Sequence, residues 1–486
     1  MTEINLVLLA RRAMQDHGLS PDFPDEALAE VPRSPGAAAG LLGREDGALL
    51  DLRELCWSSI DNHESRDLDQ IEWAERRGDD IRLLVGIADV DSVVPKGSAI
   101  DAHARDNTTS IYTGVVTFPM LPDPISSGLT SLLQDQDRLA LVIETLVDPG
   151  GEVKSGDVYR ARVRNRAKLA YPEIGAWLAG EGPPPAEVAA SPELEAQLRL
   201  QDEAAQRLRA QRHAHGALEL ETIEARPIVV GGHVTALELT QKNRARELVE
   251  DLMIASNGVM ARFLDAHHTS SIRRVVRSPE RWSRIVTLAS SLGTDLPAEP
   301  SSRALADFLT AQRKKDPVRF ADLSLSVVKL MGAGEYALER PGDSHDGHFG
   351  LAVQDYTHST APNRRFADLV TQRMAKAVLA GAPPPYDDQE LSAIALRCTE
   401  RENDVRKVER TMRKTAAALL LQRRVGQTFD AIVTGNSPKG TYVRLLSPPA
   451  EGRVLQGAEG MDVGDRVRVR LLHTDPERGF IDFARA

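Results

Sequence analysis

Near residue 426 the hydrophobic pattern of the chain changes period, and that change excludes a single uniform architecture. After the proline stop at Ala382–Pro385, "RENDVRKVERTMRKTAAALLLQRR" runs at helical period toward Gly426. Beyond it lie "GQTFDAIVTGNSPKGTYVRLL", "EGRVLQGAE" and "VGDRVRVRLLHTDPERGFIDFARA", alternating segments broken by Gly, Asn and Pro turns. Five strands in about 60 residues is the arithmetic of a five-stranded OB-fold β-barrel. Upstream, "IRLLVGIADV" and "RLALVIETLV" read as buried strands, while "ELVEDLMIASNGVMARFL" and "RFADLVTQRMAKAVL" read as amphipathic helices, so this long region is α+β. At 486 residues the chain exceeds one ordinary core. The expected division is a short helical N-terminal segment (1–50), an α+β domain (51–380), a helical extension (381–425) and the barrel (426–486).

The N-terminal segment carries one amphipathic helix, Met1 to Met14, with Leu6, Leu9, Ala10 and Ala13 on one face, then a Pro, Gly and Ala stretch from Pro21 to Gly47 without strand alternation. It is too short for an OB barrel of about 70 residues. No run of about 18 apolar residues and no leader-like segment is present, so a cytoplasmic protein without membrane contact is expected. Cys56 and Cys398 match no metal spacing and read as reduced packing residues. The net charge of −11 counts against nucleic-acid binding unless positive charge is concentrated locally. Two stripes do so: Arg160, Arg162, Arg164, Arg166 and Lys168 alternate at strand period, and Arg406, Arg410 and Arg413, with Lys407 and Lys414 beside them, follow helical spacing. Each is a candidate phosphate track, and each also reads as an ordinary solvated face.

The sharpest chemical feature is "SIDNHESRDLDQIEW", which places Asp61, Asp67 and Asp69 within nine residues after a strand. Carboxylates crowded in this way repel one another and take up protons unless hard divalent cations supply compensating charge. A solvated acidic turn is one alternative. An EF-hand loop is another, but His63 and Arg66 stand where that loop needs an Asp or Asn and a Gly.

Ile60-Asp61, five residues, then Asp67-x-Asp69 resembles the catalytic signature of the ribonuclease II family, in which four aspartates hold metal at the base of an RNA channel. The resemblance extends through "IADVDSVVPKGSAID", "TSIYTGVVTFPMLPDPISSGLTSL" with "DRLA", "AKLAYPEIGAWL", "LVEDLMIASN" and "HFGLAVQDYTHSTAPNRRFADLVTQRM", covering about Asp51 to Leu379 in the family's order. It implies an RNB-type nuclease domain with a buried channel that uses Mg2+, with Mn2+ as a substitute. The family's last two acids are adjacent, whereas Gln70 follows Asp69 here. Three carboxylates carry −3 against +4 for two magnesium ions, so one ion is expected to bind weakly until an RNA phosphate completes the balance. The Gln70 amide oxygen remains a neutral ligand, and Glu72 points the same way if the segment is extended.

By the same resemblance, Arg364 lies beside the scissile phosphate, where a guanidinium contacts two oxygens and stabilises growing charge; without the resemblance, Arg364 and Arg365 read as a solvated helix start. Tyr112 matches an aromatic that stacks on terminal bases, the alternative being a core tyrosine. The second clamping aromatic falls near Leu220, where this chain has no ring, so a weaker clamp on the last nucleotide is expected. Glu250 matches a ribose-contacting glutamate, although Arg246 and Glu250 at i and i+4 also read as an exposed salt pair. Residues 426–486 resemble the family's C-terminal RNA-binding domain, with Tyr442, Arg444 and Arg453 on its candidate binding face.

The resemblance thus implies an exoribonuclease that acts 3′ to 5′ on single-stranded RNA with a free 3′ end and releases nucleoside 5′-monophosphates; a monomer is expected, and a weak grip by the barrel is expected to make it processive. Asp61, Asp67, Asp69 and Gln70 are the expected metal ligands, with Asp69 and Arg364 catalytic. The family's N-terminal cold-shock domains find no room in the first 50 residues, so a more open channel mouth that admits a duplex behind a 3′ overhang is expected. The rival is an RNA-binding protein on the same fold, silenced by Gln70.

Overall fold

The structure, a computed structural model, describes residues 4–31, 49–221, 225–239, 242–343, 347–437 and 440–486. The α+β region is built on strands β1 (Leu50–Asp51), β2 (Trp57–Asp61), β3 (Gln70–Arg77), β4 (Asp80–Ala88), β7 (Asp137–Val147) and β8 (Val153–Ala170), with a short hairpin, β5 (Ile111–Tyr112) and β6 (Thr117–Phe118), between them. The sheet order is β1-β8-β2-β3-β4-β7, and β8 pairs with β7 as well. At 18 residues β8 is long enough to run antiparallel to β7 from Val147↔Val153 to Asp137↔Arg164, then parallel to β2 from Ser59↔Lys168 to Asp61↔Ala170. The sheet therefore curls back on itself, and the parallel pairing sets the end of β2, with Asp61, beside the end of β8.

Leu83, Leu84 and Val85 of β4 are consecutive and all buried, which requires cover on both faces. Trp57, Ile60, Ile71, Ile81 and Ile87 are fully buried in the same core, each contributing on the order of 1.5–3 kcal/mol. The helices Pro192–Ala214 and Arg244–Ala266 pack on the sheet and on each other. Ser191 caps the first at the Leu194 N–H, with Pro192 in its first turn; Asn243 caps the second at the Arg246 N–H, 2.9 Å away. The Asn243 amide also donates to the Tyr171 carbonyl at 3.0 Å, and a Cβ on Gly175 would meet Asn243 at 2.7 Å, so that position needs glycine for close approach. The helix Phe366–Leu379 is fixed from within: Arg373 donates to Asp91, Asp101, Tyr386 and the Val94 carbonyl.

Two further hairpins follow, β9 (Ala225–Val230) with β10 (His233–Leu239) and β11 (Ser271–Val275) with β12 (Glu335–Glu339). The long helix spans Asp388–Leu421, starting well before the basic stretch at Arg401. Its N-terminus is set by a capping box between Asp387 and Glu390, and Leu391, Ile394, Ala395 and Cys398 bury its first turns. Strands β13 (Thr428–Ser437), β14 (Gly440–Leu445), β15 (Glu451–Gln456), β16 (Arg466–Asp475) and β17 (Phe480–Arg485) form a closed barrel in the order β13-β14-β15-β17-β16. Inward-facing Val433, Val443, Leu445, Leu471 and Phe483 fill it, and Ala417, Ala418 and Leu421 of the long helix pack beneath.

The N-terminal segment holds two helices, Leu6–Asp16 and Asp25–Glu30, where the sequence suggested one. Leu6, Ala10, Ala13 and Met14 of the first pack against Val405, Val408 and Met412 of the long helix. Residues 1–3 of the expected helix, and 32–47 of the Pro, Gly and Ala stretch, lie outside the described residues. Both cysteines are free and buried. No described helix is long and apolar enough to cross a membrane.

Candidate active site

β2 ends on Asp61 and β3 begins on Gln70, so the acidic segment is the connection between two adjacent strands of the sheet. Asp61 Oδ1 accepts from the Asn62 N–H at 2.7 Å and the Ser65 hydroxyl at 2.9 Å, which folds the connection into a turn. Lys168 of β8 donates to the carbonyls of His63 and Ser65, at 3.1 and 2.6 Å, and holds the turn from below. Ser131 accepts from the Leu68 N–H and donates to the Arg66 carbonyl, which fixes the far side. Asp67 and Asp69 therefore hang from a short segment tied at both ends.

The Asp69 carboxylate is 3% exposed. Its Oδ1 accepts from the Asn363 N–H at 2.9 Å, a residue 294 positions along the chain, and its Oδ2 lies 3.7 Å from Arg364 Nε. The turn that presents Arg364 is stapled to the segment before Tyr112: the Arg364 carbonyl accepts from the Ser110 N–H at 3.0 Å and the Thr109 hydroxyl at 2.9 Å. Burial pushes the Asp69 carboxyl up to about 7; Arg364 and the Asn363 N–H oppose the rise, and Asp67 adds to it. Burial also raises Asp67, with Asp61 pushing the same way. The segment therefore holds more negative charge than its partners neutralise.

A cavity of about 350 Å3 opens on these groups, lined by Asp61, Asp67, Asp69, Gln70, Tyr112 and Arg364. Residues from across the chain complete the wall: Asn62, Ser65, Tyr171, Thr360, and Arg246, Val249 and Met253 from one face of the helix Arg244–Ala266. Tyr112 is 45% exposed, so its ring has an open face toward the cavity and solvent. Sequence reasoning missed the roles of Tyr171, Thr360 and Arg246. The first two lie inside segments quoted for the resemblance, while Arg246 was paired with Glu250. Arg246 instead donates to Asn62 Oδ1 at 2.8 Å and lies 4.3 Å over the Tyr171 ring.

Other expected site residues lie off this cavity. Glu250 is exposed and does not line it. Leu220 packs beside the Trp282 and Phe308 cluster. Arg365 turns inward and grips Asp368 with two hydrogen bonds of 2.8 and 2.6 Å. In the barrel, Tyr442 pairs across the strands with Arg453, and both are exposed, whereas Arg444 is buried 3.0 Å from Asp322 of the helix Pro317–Met331 and anchors the barrel there. The β8 stripe is occupied by the protein itself: Arg164 donates to Asp137, Arg166 to the Arg53 carbonyl, and Arg160 lies 3.5 Å from Asp89. On the long helix, Arg406 and Lys407 pair with Glu402 and Asp404, and Arg410 and Arg413 are exposed.

The donors around the cavity are carboxylate, amide and hydroxyl oxygens, the hard set that suits magnesium or manganese rather than zinc. The buried, under-neutralised Asp69 fits a cation for the same electrostatic reason. Among the described residues, no three His, Cys, Asp or Glu side chains already converge on one point, so water and substrate oxygens would have to complete any coordination shell. Glu72 lies two residues beyond Gln70 on the same strand, fully buried, with neither carboxylate oxygen hydrogen-bonded and its carboxyl pushed by burial up to about 8. It does not line the cavity.

Comparison with known proteins agrees with this architecture. An RNB domain model matches residues 49–381, and an RNase II-type exonuclease C-terminal S1 domain model matches residues 427–486. Ribonuclease R of Escherichia coli is 27% identical over 511 residues, covering 96% of this chain and 59% of that protein. Ribonuclease R of Thermotoga maritima is 27% identical, covering 95% of this chain and 68% of that protein. The chain thus spans about three fifths of the length of several of these relatives. Among solved structures, Mycoplasma genitalium RNase R in complex with ribose methylated single-stranded RNA superposes with a TM-score of 0.87 at 21% identity, covering 99% of this chain and 78% of that one. Yeast Ssd1, a pseudonuclease, superposes at 0.68 with 16% identity, covering 97% and 57%.

Proposed function

We propose, from the premise that this chain belongs to the RNB-domain family with an RNase II-type C-terminal S1 domain, that it hydrolyses single-stranded RNA from a free 3′ end and releases nucleoside 5′-monophosphates. The observation that carries the reading is the single cavity that gathers Asp61, Asp67, Asp69, Gln70, Tyr112 and Arg364. The order of work divides among them. Tyr112 offers its exposed ring to a terminal base, a contact worth about 1–3 kcal/mol and indifferent to sequence. Arg364, tethered by its backbone and with its half-exposed guanidinium 3.7 Å from Asp69, neutralises charge that grows on the phosphate oxygens. Asp61, Asp67 and Asp69, with the Gln70 amide oxygen, would hold Mg2+ or Mn2+, which would supply an activated water and charge neutralisation. The exposed Tyr442 and Arg453 face of the barrel and the Arg410 and Arg413 ridge extend the path of the strand, and a second weak grip of this kind favours processive action.

The finer parts of the reading are a monomer, acting in the cytoplasm on the domain division 1–50, 51–380, 381–425 and 426–486, and tolerant of a duplex behind a 3′ overhang. Mycoplasma genitalium RNase R, of the same fold, has been solved with double-stranded RNA, which supports the last point. The rival, RNA binding without cleavage, draws on Gln70 and on the pseudonuclease that shares the fold. The Asp69 and Arg364 pair at the cavity favours hydrolysis.

Incubating 3′- and 5′-labelled oligoribonucleotides, single-stranded and 3′-overhanged, with Mg2+ or Mn2+ tests the reading. Stepwise shortening of the 5′-labelled strand by the wild type, lost in Asp69→Asn, is expected. Retention of intact RNA by both proteins would overturn it.

A further inference from the structure

Behind the acidic turn lies a second cavity, of about 750 Å3, within the 300–1,000 Å3 range of ligand pockets. Asn62 and Arg246 line both cavities, and the 2.8 Å hydrogen bond between them stands at the boundary. The turn that carries Asp61 to Asp67 is thus a partition, with the catalytic groups on one side and this cavity on the other. Its outer rim is solvent-exposed at His63, Glu64, Glu181 and Lys242. Arg226, Arg244 and Arg246 also line it; Arg226 pairs with Glu64 at 2.7 Å and Arg244 with Asp202, while Lys242 has no ion-pair partner among the described residues.

We infer that this second cavity is the outlet for the nucleoside 5′-monophosphate product, with the Arg246–Asn62 hydrogen bond as its gate. The inference rests on the hydrolytic reading above. When a strand is cut at its last phosphodiester, the remaining strand fills the path by which it came, and the freed nucleotide is left beneath it. A product carrying about −1.5 to −2 charge at pH 7 needs a second route with cations along it. Arg246 is the one guanidinium that lines both cavities, and moving it from Asn62 to the leaving phosphate would open the partition while exchanging a neutral amide acceptor for an anionic one. Arg244, Arg226 and Lys242 then lie along the way out.

Filling the cavity at a point remote from the catalytic groups tests this. Ala176, on the helix Tyr171–Leu178, lines the second cavity and not the first. In Ala176→Trp, release of nucleotide in steady state should slow by about tenfold while single-turnover cleavage of the first phosphodiester keeps the wild-type rate. Lys242→Glu changes only an exposed side chain and should slow steady-state release in the same direction, with weaker inhibition by added adenosine 5′-monophosphate. Wild-type steady-state rates in Lys242→Glu and in a folded Ala176→Trp, beside normal cleavage by the wild type, overturn the outlet alone. Absence of cleavage by the wild type overturns the hydrolytic reading and the outlet with it.

Discussion

Replacing Asp69 by asparagine should stabilise the metal-free protein while abolishing cleavage, and the size of the gain follows from burial. The carboxylate is almost wholly enclosed, its guanidinium neighbour stands 3.7 Å away and is 45% exposed, and its carboxyl rises from 3.8 to about 7. At about 1.4 kcal/mol for each tenfold in proton affinity, that rise is worth up to about 4 kcal/mol. The folded state keeps a proton that the unfolded chain has already released above pH 4, so stability falls as pH climbs from about 4 to about 7 and is level above that. Asparagine keeps the shape and an oxygen for the Asn363 N–H but carries no charge. At pH 8, without divalent ions, Asp69→Asn should therefore gain about 2–4 kcal/mol over the wild type, and near pH 4 the two should converge. Urea unfolding followed by tryptophan emission reads this directly, since Trp57 and Trp73 lie on the sheet that carries the site. Millimolar Mg2+ or Mn2+ should then raise the wild-type midpoint more than that of the variant, because a ligand that binds only the folded state stabilises it. A variant less stable than the wild type at pH 8, or a gain independent of pH, would refute the claim that Asp69 is an under-neutralised buried charge.

Arg364→Ala should lower the single-turnover cleavage rate by about 100- to 1,000-fold with a much smaller change in RNA affinity, and Arg364→Lys should recover little of it because an ammonium cannot contact two phosphate oxygens as a guanidinium does. Tyr112→Ala should weaken binding of short oligoribonucleotides by about 1–3 kcal/mol in titration calorimetry, whereas Tyr112→Phe should bind as the wild type does. Gln70→Asp adds a carboxylate at the start of β3 and should lower the Mg2+ concentration giving half-maximal cleavage by about tenfold. Arg444→Ala leaves Asp322 buried without its guanidinium and should cost about 3–5 kcal/mol, read as a lower thermal transition, with part recovered when Asp322 is also replaced by leucine.

The closed barrel, the α+β sheet, the main helices and the acidic segment were all legible in the sequence, because each rests on local periodicity or spacing: alternation fixes a strand's two faces, and a 3.6-residue repeat fixes a helix's stripe. The basic run places the start of the long helix at Arg401, about a dozen residues late, whereas its true first turns carry the Asp387 and Glu390 capping box and an amphipathic stripe of Leu391, Ile394, Ala395 and Cys398. Periodicity tells which face a residue occupies, but not what covers that face. The Arg160 to Lys168 stripe does alternate, yet folding brings Asp137, Asp89 and three backbone carbonyls against it and engages its charge within the protein. Arg444 shares one face of β14 with Tyr442, two residues away, but only the docking of Asp322 decides that one is an anchor and the other exposed. Asp69 and Arg364 meet although almost the whole α+β domain separates them in sequence, and Arg246 turns from Glu250 to Asn62. The sequence by itself determined which chemical groups the chain carries and how each element is built. Tertiary packing alone decided which of them share a cavity, because burial and neutralisation depend on partners brought together by the closure of the sheet and its helices.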